Sequence, residues 1–237
     1  MLPSMREIDM GSETGGVEAV ERALRILDSL GPDGNATSLA ELSRRTGFHK
    51  STILRLAVSL TRFGYLVRDE EGLFRLGPTT WRIGSGYRHV GTLARTVRPE
   101  LARLSGSTQE TASLYVREGD TRVCLLRHEP DRAIRHAVAE GTILPLSRGA
   151  AGAVLLAFSD LPDEGNAGVR TAGHAISRGE RDAEVAAVAV PLHSPSGRLI
   201  GALTLSGLVT RFGPENVPGL LAALQGSRDR LAGRVLS

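Results

Sequence analysis

The chain has 237 residues, 41% hydrophobic and 23% charged, a globular composition that fits one small and one medium domain and excludes a largely disordered protein. Cys124 is its only cysteine, so no disulfide closes within the chain and a reducing compartment is expected. A net charge of +3 excludes little by itself, but residues 38–68 carry Arg44, Arg45, Lys50, Arg55, Arg62 and Arg68 against Glu41 alone, the concentration that phosphate attraction requires.

Residues 1–16 mix Arg6 with Glu7, Asp9 and Glu13 and read as a loose tail without a secretory signal. The longest uninterrupted apolar run, 185–192, is far below the roughly 18 residues of a membrane span, so a soluble, cytoplasmic protein with no membrane partner is expected. Val17, Val20, Leu24 and Leu27 recur at helical spacing and predict a first helix, stopped by Gly31-Pro32. Ser38 with Glu41 reads as a capping box opening a second helix to about Arg45. Thr46-Gly47 makes a tight turn into a third helix from about Lys50 to Phe63, which buries Ile53, Leu54, Leu56, Ala57 and Leu60 before Gly64 ends it. Residues 65–68 and 73–76 predict two strands around the loop 69–72. The order helix, helix, turn, helix, hairpin is that of a winged helix-turn-helix.

A helix fits the major groove of B-DNA with its N-terminal side chains at base edges and its amides toward phosphate. His49, Lys50, Ser51, Thr52 and Arg55 occupy that end of the third helix. Ser51 and Thr52 are candidates for phosphate or base contacts and Arg55 for phosphate or guanine, while Arg44, Arg45, Arg68 and Arg75 are candidates for the DNA backbone. Aromatic residues make up 4% of the chain, too few for a reader of single strands that stacks bases on exposed rings. The expected partner is double-stranded DNA. One recognition helix reads few base pairs, so a symmetric homodimer on a pseudo-palindromic operator is expected, with the first helix and the connector as candidate contacts.

Further along, a connector helix is expected over 81–97, and Pro99 suits the first turn of another helix whose Leu101 and Leu104 face inward. Residues 112–117 and 122–127 suggest strands, 149–158 a buried helix, and 185–192 with 199–208 a strand pair joined across 194–197. A last helix places Val217, Leu220, Leu221, Leu224, Leu231 and Val235 on one side, which completes an α+β domain. The helix start near Gly149 offers free amides to an anion and favours a carboxylate ligand. Catalysis finds no support: the chain has no nucleophile elbow, phosphate-binding glycine loop or His-Glu-x-x-His, and neither catalytic residues, cofactor nor metal is expected. The nearest histidine pair of the second half, His128 and His136, lacks metal-ligand spacing around it. A rival reading makes the winged helix a dimerisation or protein-docking module without DNA binding; acidic residues on the third helix would support it, and that segment contains none.

The series Val20-Glu21-Arg22-Ala23-Leu24-Arg25-Ile26-Leu27, Leu39-Ala40-Glu41-Leu42, Lys50-Ser51-Thr52-Ile53-Leu54-Arg55-Leu56 and Gly64-Tyr65-Leu66 resembles the DNA-binding domain of IclR-type transcriptional regulators. Leu144-Pro145-Leu146, Ala150-Ala151-Gly152, Leu155-Leu156-Ala157-Phe158, Gly179-Glu180 and Val188-Ala189-Val190-Pro191 through Leu205-Ser206-Gly207 resemble the family's effector domain. The resemblance implies an α+β chain in which a winged helix-turn-helix (17–78) is joined by a connector helix (79–97) to a GAF-like α/β effector domain (98–237). It also implies homodimers or homotetramers and control of transcription by a small metabolite. An organic acid is the expected effector and repression the expected sense. The implied pocket draws on Ala150, Ala151, Gly152, Ala187, Thr204 and Ser206, with Arg148 as a nearby counter-ion. Three departures bear on the effector: Ala153 where the family usually has lysine, a shortened segment between Phe158 and Gly173, and Ala187 where some relatives carry a polar or sulfur side chain.

Overall fold

The computed structural model describes residues 16–30, 35–86, 88–131, 138–159 and 164–234. They fall into two compact units, residues 1–86 and 87–237.

The first unit contains α1 (Glu18–Asp28), α2 (Leu39–Thr46), α3 (Lys50–Arg62), β1 (Leu66–Arg68), β2 (Phe74–Leu76) and α4 (Pro78–Gly86). Its core is Ile26, Leu30, Leu42, Ile53, Ala57, Leu60, Leu66 and Phe74. β1 and β2 pair antiparallel with Leu66 opposite Leu76, and Phe74 also exchanges backbone hydrogen bonds with Thr37 at 2.8 and 2.9 Å, which fixes the chain just ahead of α2 to the hairpin.

α1 carries two apolar stripes, and one of them faces inward. Ile26 and Leu30 are fully buried with Ala23 and Leu27 packed beside them, whereas Val17, Val20 and Leu24 are more than half exposed. A 3.6-residue period runs through both stripes, and spacing alone does not tell which one meets α3. The expected stop at Gly31-Pro32 lies outside the described residues. Leu54 of α3 is likewise exposed, because the inward row is Ile53, Ala57 and Leu60. At the head of α2, the Ser38 hydroxyl accepts the Glu41 N–H at 3.2 Å, but the Glu41 carboxylate turns to Arg44 and Arg45.

In the second unit, α5 (Arg88–Thr108) leads into β3 (Thr111–Glu118), β4 (Thr121–His128), β5 (Ile143–Pro145), α6 (Ala150–Ala157), α7 (Ala167–Ala172), β6 (Ala175–Arg178), β7 (Val185–His193), β8 (Leu199–Leu208) and α8 (Val217–Ala232). The strands form one antiparallel sheet in the order β5-β4-β3-β8-β7-β6. Alternation along β7 and β8 sorts the two faces. Ala186, Val188, Val190, Leu192, Leu203 and Leu205 pack with Val97, Leu101 and Leu104 of α5 and with Leu220, Leu224 and Leu231 of α8. Ala189 and Ala202 turn to the other face, where α6 contributes Ala150, Ala151, Val154 and Leu155. Small residues on that face let α6 approach the sheet closely.

The connector differs from expectation. α4 ends at Gly86, and α5 runs unbroken from Arg88 to Thr108 with Pro99 inside it. Proline interrupts one intrahelical hydrogen bond at a typical cost of about 3 kcal/mol, which burial of Val97, Leu101 and Leu104 in one row offsets. The short strands β5 and β6 were not expected from the sequence, and the shortened segment retains α7, six residues long. Val235 and His136 lie outside the described residues.

Candidate functional site

In the first unit, the turn between α2 and α3 is held by its own side chains. Gly47 adopts φ 73°, the left-handed conformation that glycine tolerates without Cβ strain, and its N–H reaches the Ser43 carbonyl at 2.9 Å. The Ser43 hydroxyl donates to the Phe48 carbonyl at 2.7 Å, and the Thr46 hydroxyl accepts the Phe48 N–H at 3.2 Å. The turn sets His49 as the N-cap of α3, whose first turn carries no acidic residue. His49, Lys50, Ser51 and Arg55 are exposed and Thr52 is half-buried; among the described residues none of these five side chains has a hydrogen-bond or ion-pair partner. Hydroxyls and cations thus stand with unpaired amides at one helix end, a combination suited to a polyanion.

The four other expected DNA-backbone arginines have partners within the unit. Arg44 donates to both Glu41 oxygens at 2.8 and 2.6 Å, and Arg45 donates to Glu41 and to the Ser29 carbonyl at 2.6 and 2.8 Å. Hydrogen bonds from Arg44 and then Arg45 hold the Glu41 carboxyl down to about 2, and Glu41 in turn raises Arg44 above the ordinary arginine value. Arg68 donates to the Gly72 carbonyl at 3.2 Å and lies 5.3 Å from the centre of the Phe74 ring. Arg75 lies 3.3 Å from Asp69, whose other oxygen accepts the Leu73 N–H. Glu70 and Glu71 stand exposed at the hairpin tip.

In the second unit, a cavity of about 40 Å³ lies between the sheet and the head of α6. Ala150, Ala151, Ala187, Thr204 and Ser206 line it, so five of the seven residues expected there come together. Gly152 does not face the cavity: a Cβ at that position would stand 2.0 Å from the Leu146 carbonyl oxygen, so the glycine allows the backbones to touch. Arg148 is exposed and offers only its carbonyl. Charged groups also line the cavity: Arg122 and Arg181, with Glu180 and Asp182. Arg122 of β4 is the buried one, 4% exposed, and its Nη1 donates to the Pro145 and Arg148 carbonyls at 2.5 and 2.6 Å. Its Nε has no partner, and Glu180 attracts it without a salt bridge between the two. Burial lowers the Arg122 pKa, and burial likewise pushes the Tyr115 hydroxyl beneath it up to about 12.

Arg122 shares a strand face with the fully buried Cys124, and a cation at an inward position of an alternating strand was the available signal. Two of the amides expected to be free at the start of α6 are already taken. Gly149 N–H donates to Glu180 Oε2 at 2.6 Å and Ala150 N–H to the Ser177 hydroxyl at 3.0 Å. Thr204 makes only a 3.5 Å contact to its own strand, which leaves its hydroxyl available on the cavity wall.

Residues 19–70 match the model of the IclR helix-turn-helix domain, and residues 86–168 with 164–231 match that of the bacterial transcriptional regulator IclR C-terminal domain. The chain belongs to the IclR family. It is therefore a DNA-binding transcriptional regulator and not an enzyme, with the winged helix-turn-helix and α+β architecture of IclR proteins. It is 28% identical over 255 residues to the HTH-type transcriptional regulator BhcR of Paracoccus denitrificans, covering 96% of this chain and 91% of that one. Identity to the HTH-type transcriptional repressor AllR of Klebsiella pneumoniae is 25% over 230 residues, covering 84% of this chain and 83% of the relative. A crystal structure of an IclR homolog from Microbacterium hydrocarbonoxydans in complex with 4-hydroxybenzoate matches with a TM-score of 0.72 at 23% identity, covering 90% of this chain and 98% of that one.

Proposed function

We propose that this IclR-family protein is a repressor that binds a pseudo-palindromic operator as a homodimer or homotetramer in the cytoplasm and responds to a small carboxylate. The exposed, unpartnered group His49, Lys50, Ser51 and Arg55 at the start of α3 carries the DNA reading, since these side chains reach a groove without breaking any internal bond. Thr52 adds a half-buried hydroxyl to the same end, and Arg44 is the most exposed of the cations that Glu41 already holds. The repressor sense is supported by the relative named as one. In the described residues no helix is long and apolar enough to cross a membrane.

Two further observations support the oligomer and the ligand. Val17, Val20 and Leu24 form an exposed apolar stripe along α1, which a symmetric copy of the same helix covers in the proposed dimer. Arg122, buried beside the cavity with an unpartnered Nε and no salt bridge to the Glu180 and Asp182 that also line it, favours an anionic ligand there, flanked by Ala150, Ala187, Thr204 and Ser206. The homolog in complex with 4-hydroxybenzoate, itself a carboxylate, is consistent with that class. The test is a titration of the purified protein against duplex DNA from upstream of its own gene, with and without a panel of organic acids. Sequence-specific binding released by one of the acids is expected; binding equal to that of scrambled DNA overturns the reading.

A further inference from the structure

We propose that Glu180 competes internally for the seat of the ligand's carboxylate, so that a small acid binds the pocket only by displacing it. The inference rests on the reading of this cavity as a carboxylate site. Glu180 is no local cap of α6: it lies 31 residues from Gly149, in the loop between β6 and β7, and reaches in from an exposed position. Its Oε2 takes the Gly149 N–H at 2.6 Å, at the positive end of the helix, where a charged acceptor is held more strongly than a neutral one. Gly149 has φ 85° and ψ 156°, a conformation open essentially to glycine alone, so this donor's direction is built into the turn.

Glu180 satisfies only part of what the cavity offers an anion. Arg122 lines the same cavity, as does Arg181; the Arg122 Nε has no partner, and its guanidinium feels the Glu180 charge without forming a salt bridge to it. A carboxylate that bridges the Gly149 amide and the Arg122 guanidinium satisfies both, but it needs the acceptor position that Glu180 holds. Space points the same way. With Glu180 in place the cavity measures about 40 Å³, against roughly 150 Å³ for a cavity that admits benzene, so anything larger than a very small acid requires the side chain to leave. The apparent affinity for the ligand is then the intrinsic affinity reduced by the fraction of molecules in which Glu180 has swung out.

Calorimetric titration of the full-length protein with sodium formate and sodium acetate tests this, using the wild type, Glu180→Ala, Glu180→Gln and Arg122→Gln, alone and combined with Glu180→Ala. Loss of one charge-assisted hydrogen bond from the competitor is expected to tighten acetate binding by about ten- to a hundred-fold in Glu180→Ala. Glu180→Gln is expected to fall between, since its amide oxygen still accepts but without charge. Adding Arg122→Gln to Glu180→Ala is expected to lose at least the gained affinity. Glycine-selective amide NMR supplies a readout apart from affinity: one glycine resonance that moves on saturating the wild type with acetate is already displaced in unliganded Glu180→Ala. Acetate affinity unchanged or weakened by Glu180→Ala, yet lost on Arg122→Gln, overturns the competition and keeps the pocket reading. Affinity indifferent to Arg122→Gln, or no binding of either probe by any variant, overturns the pocket reading and the competition together.

Discussion

The Arg45 guanidinium joins Glu41 to the end of α1: its Nε lies 2.6 Å from the Glu41 carboxylate and its Nη1 2.8 Å from the Ser29 carbonyl. With Arg44 on the same carboxylate, the acid of α2 is held at about 2 against an ordinary 4.5. The unfolded chain therefore binds the proton first as pH falls, and the contribution to stability is present above about 4.5 and lost on going down to about 2. The site is exposed, so the effect is small. Urea midpoints recorded between pH 5 and 2 are expected to fall more steeply in the wild type than in Glu41→Gln, and parallel curves would contradict the assignment.

Arg55 has no such internal duty, and that separates it from the arginines of α2. Arg55→Ala is expected to weaken operator binding by about 1–3 kcal/mol, and removing a phosphate contact lowers the slope of log affinity against log salt by about 1. Arg44→Ala, whose loss is shared with Glu41, is expected to cost less than about 1 kcal/mol. Fluorescence anisotropy at several salt concentrations measures both. Equal losses for the two variants would give α2 as large a share of the contact as α3.

The hairpin tip is acidic as well as basic. Arg68 and Arg75 are folded back on Gly72 and Asp69, while Glu70 and Glu71 face solvent, so the tip presents negative charge toward any nearby phosphate. Replacing both with glutamine is expected to tighten DNA binding several-fold at low salt, equally for operator and scrambled duplexes, and to have little effect at high salt where the repulsion is screened. A change confined to the operator would instead give the tip a role in reading sequence.

The elements of both units were legible where one period dominated. The helix-turn-helix, the hairpin, β7 with β8, and α6 follow from spacing and turn residues. The errors arose where two physical readings shared one pattern. Ile53 and Leu54 both fit the helical repeat of α3, and only the packing of the unit decides that Ile53 turns inward while Leu54 stays exposed. Pro99 suits a helix start, and only the burial of its neighbours shows that the helix continues through it. In the pocket, resemblance supplied the small residues and the two hydroxyls. Arg122 and Glu180 were missed as its charged pair of groups because they come from β4 and a loop 58 residues later, brought together only by the sheet and α6.

Glu110 and Arg211 form the best-buried ion pair among the described residues, with two hydrogen bonds of 2.5 and 2.8 Å and side chains 4% and 24% exposed. They join the start of the sheet to the turn after β8, and Gly207 makes room for them, since a Cβ there would stand 1.9 Å from Glu110 Oε2. The pair itself adds little net stability, because both charges lose hydration to form it. Breaking it is another matter. Arg211→Ala strands a buried carboxylate and is expected to cost about 3–5 kcal/mol, whereas Glu110→Gln with Arg211→Met, which strands no charge, is expected to cost markedly less. Urea unfolding read by far-ultraviolet circular dichroism distinguishes them, and a double variant less stable than the single one would show that the pair stabilises the fold in its own right.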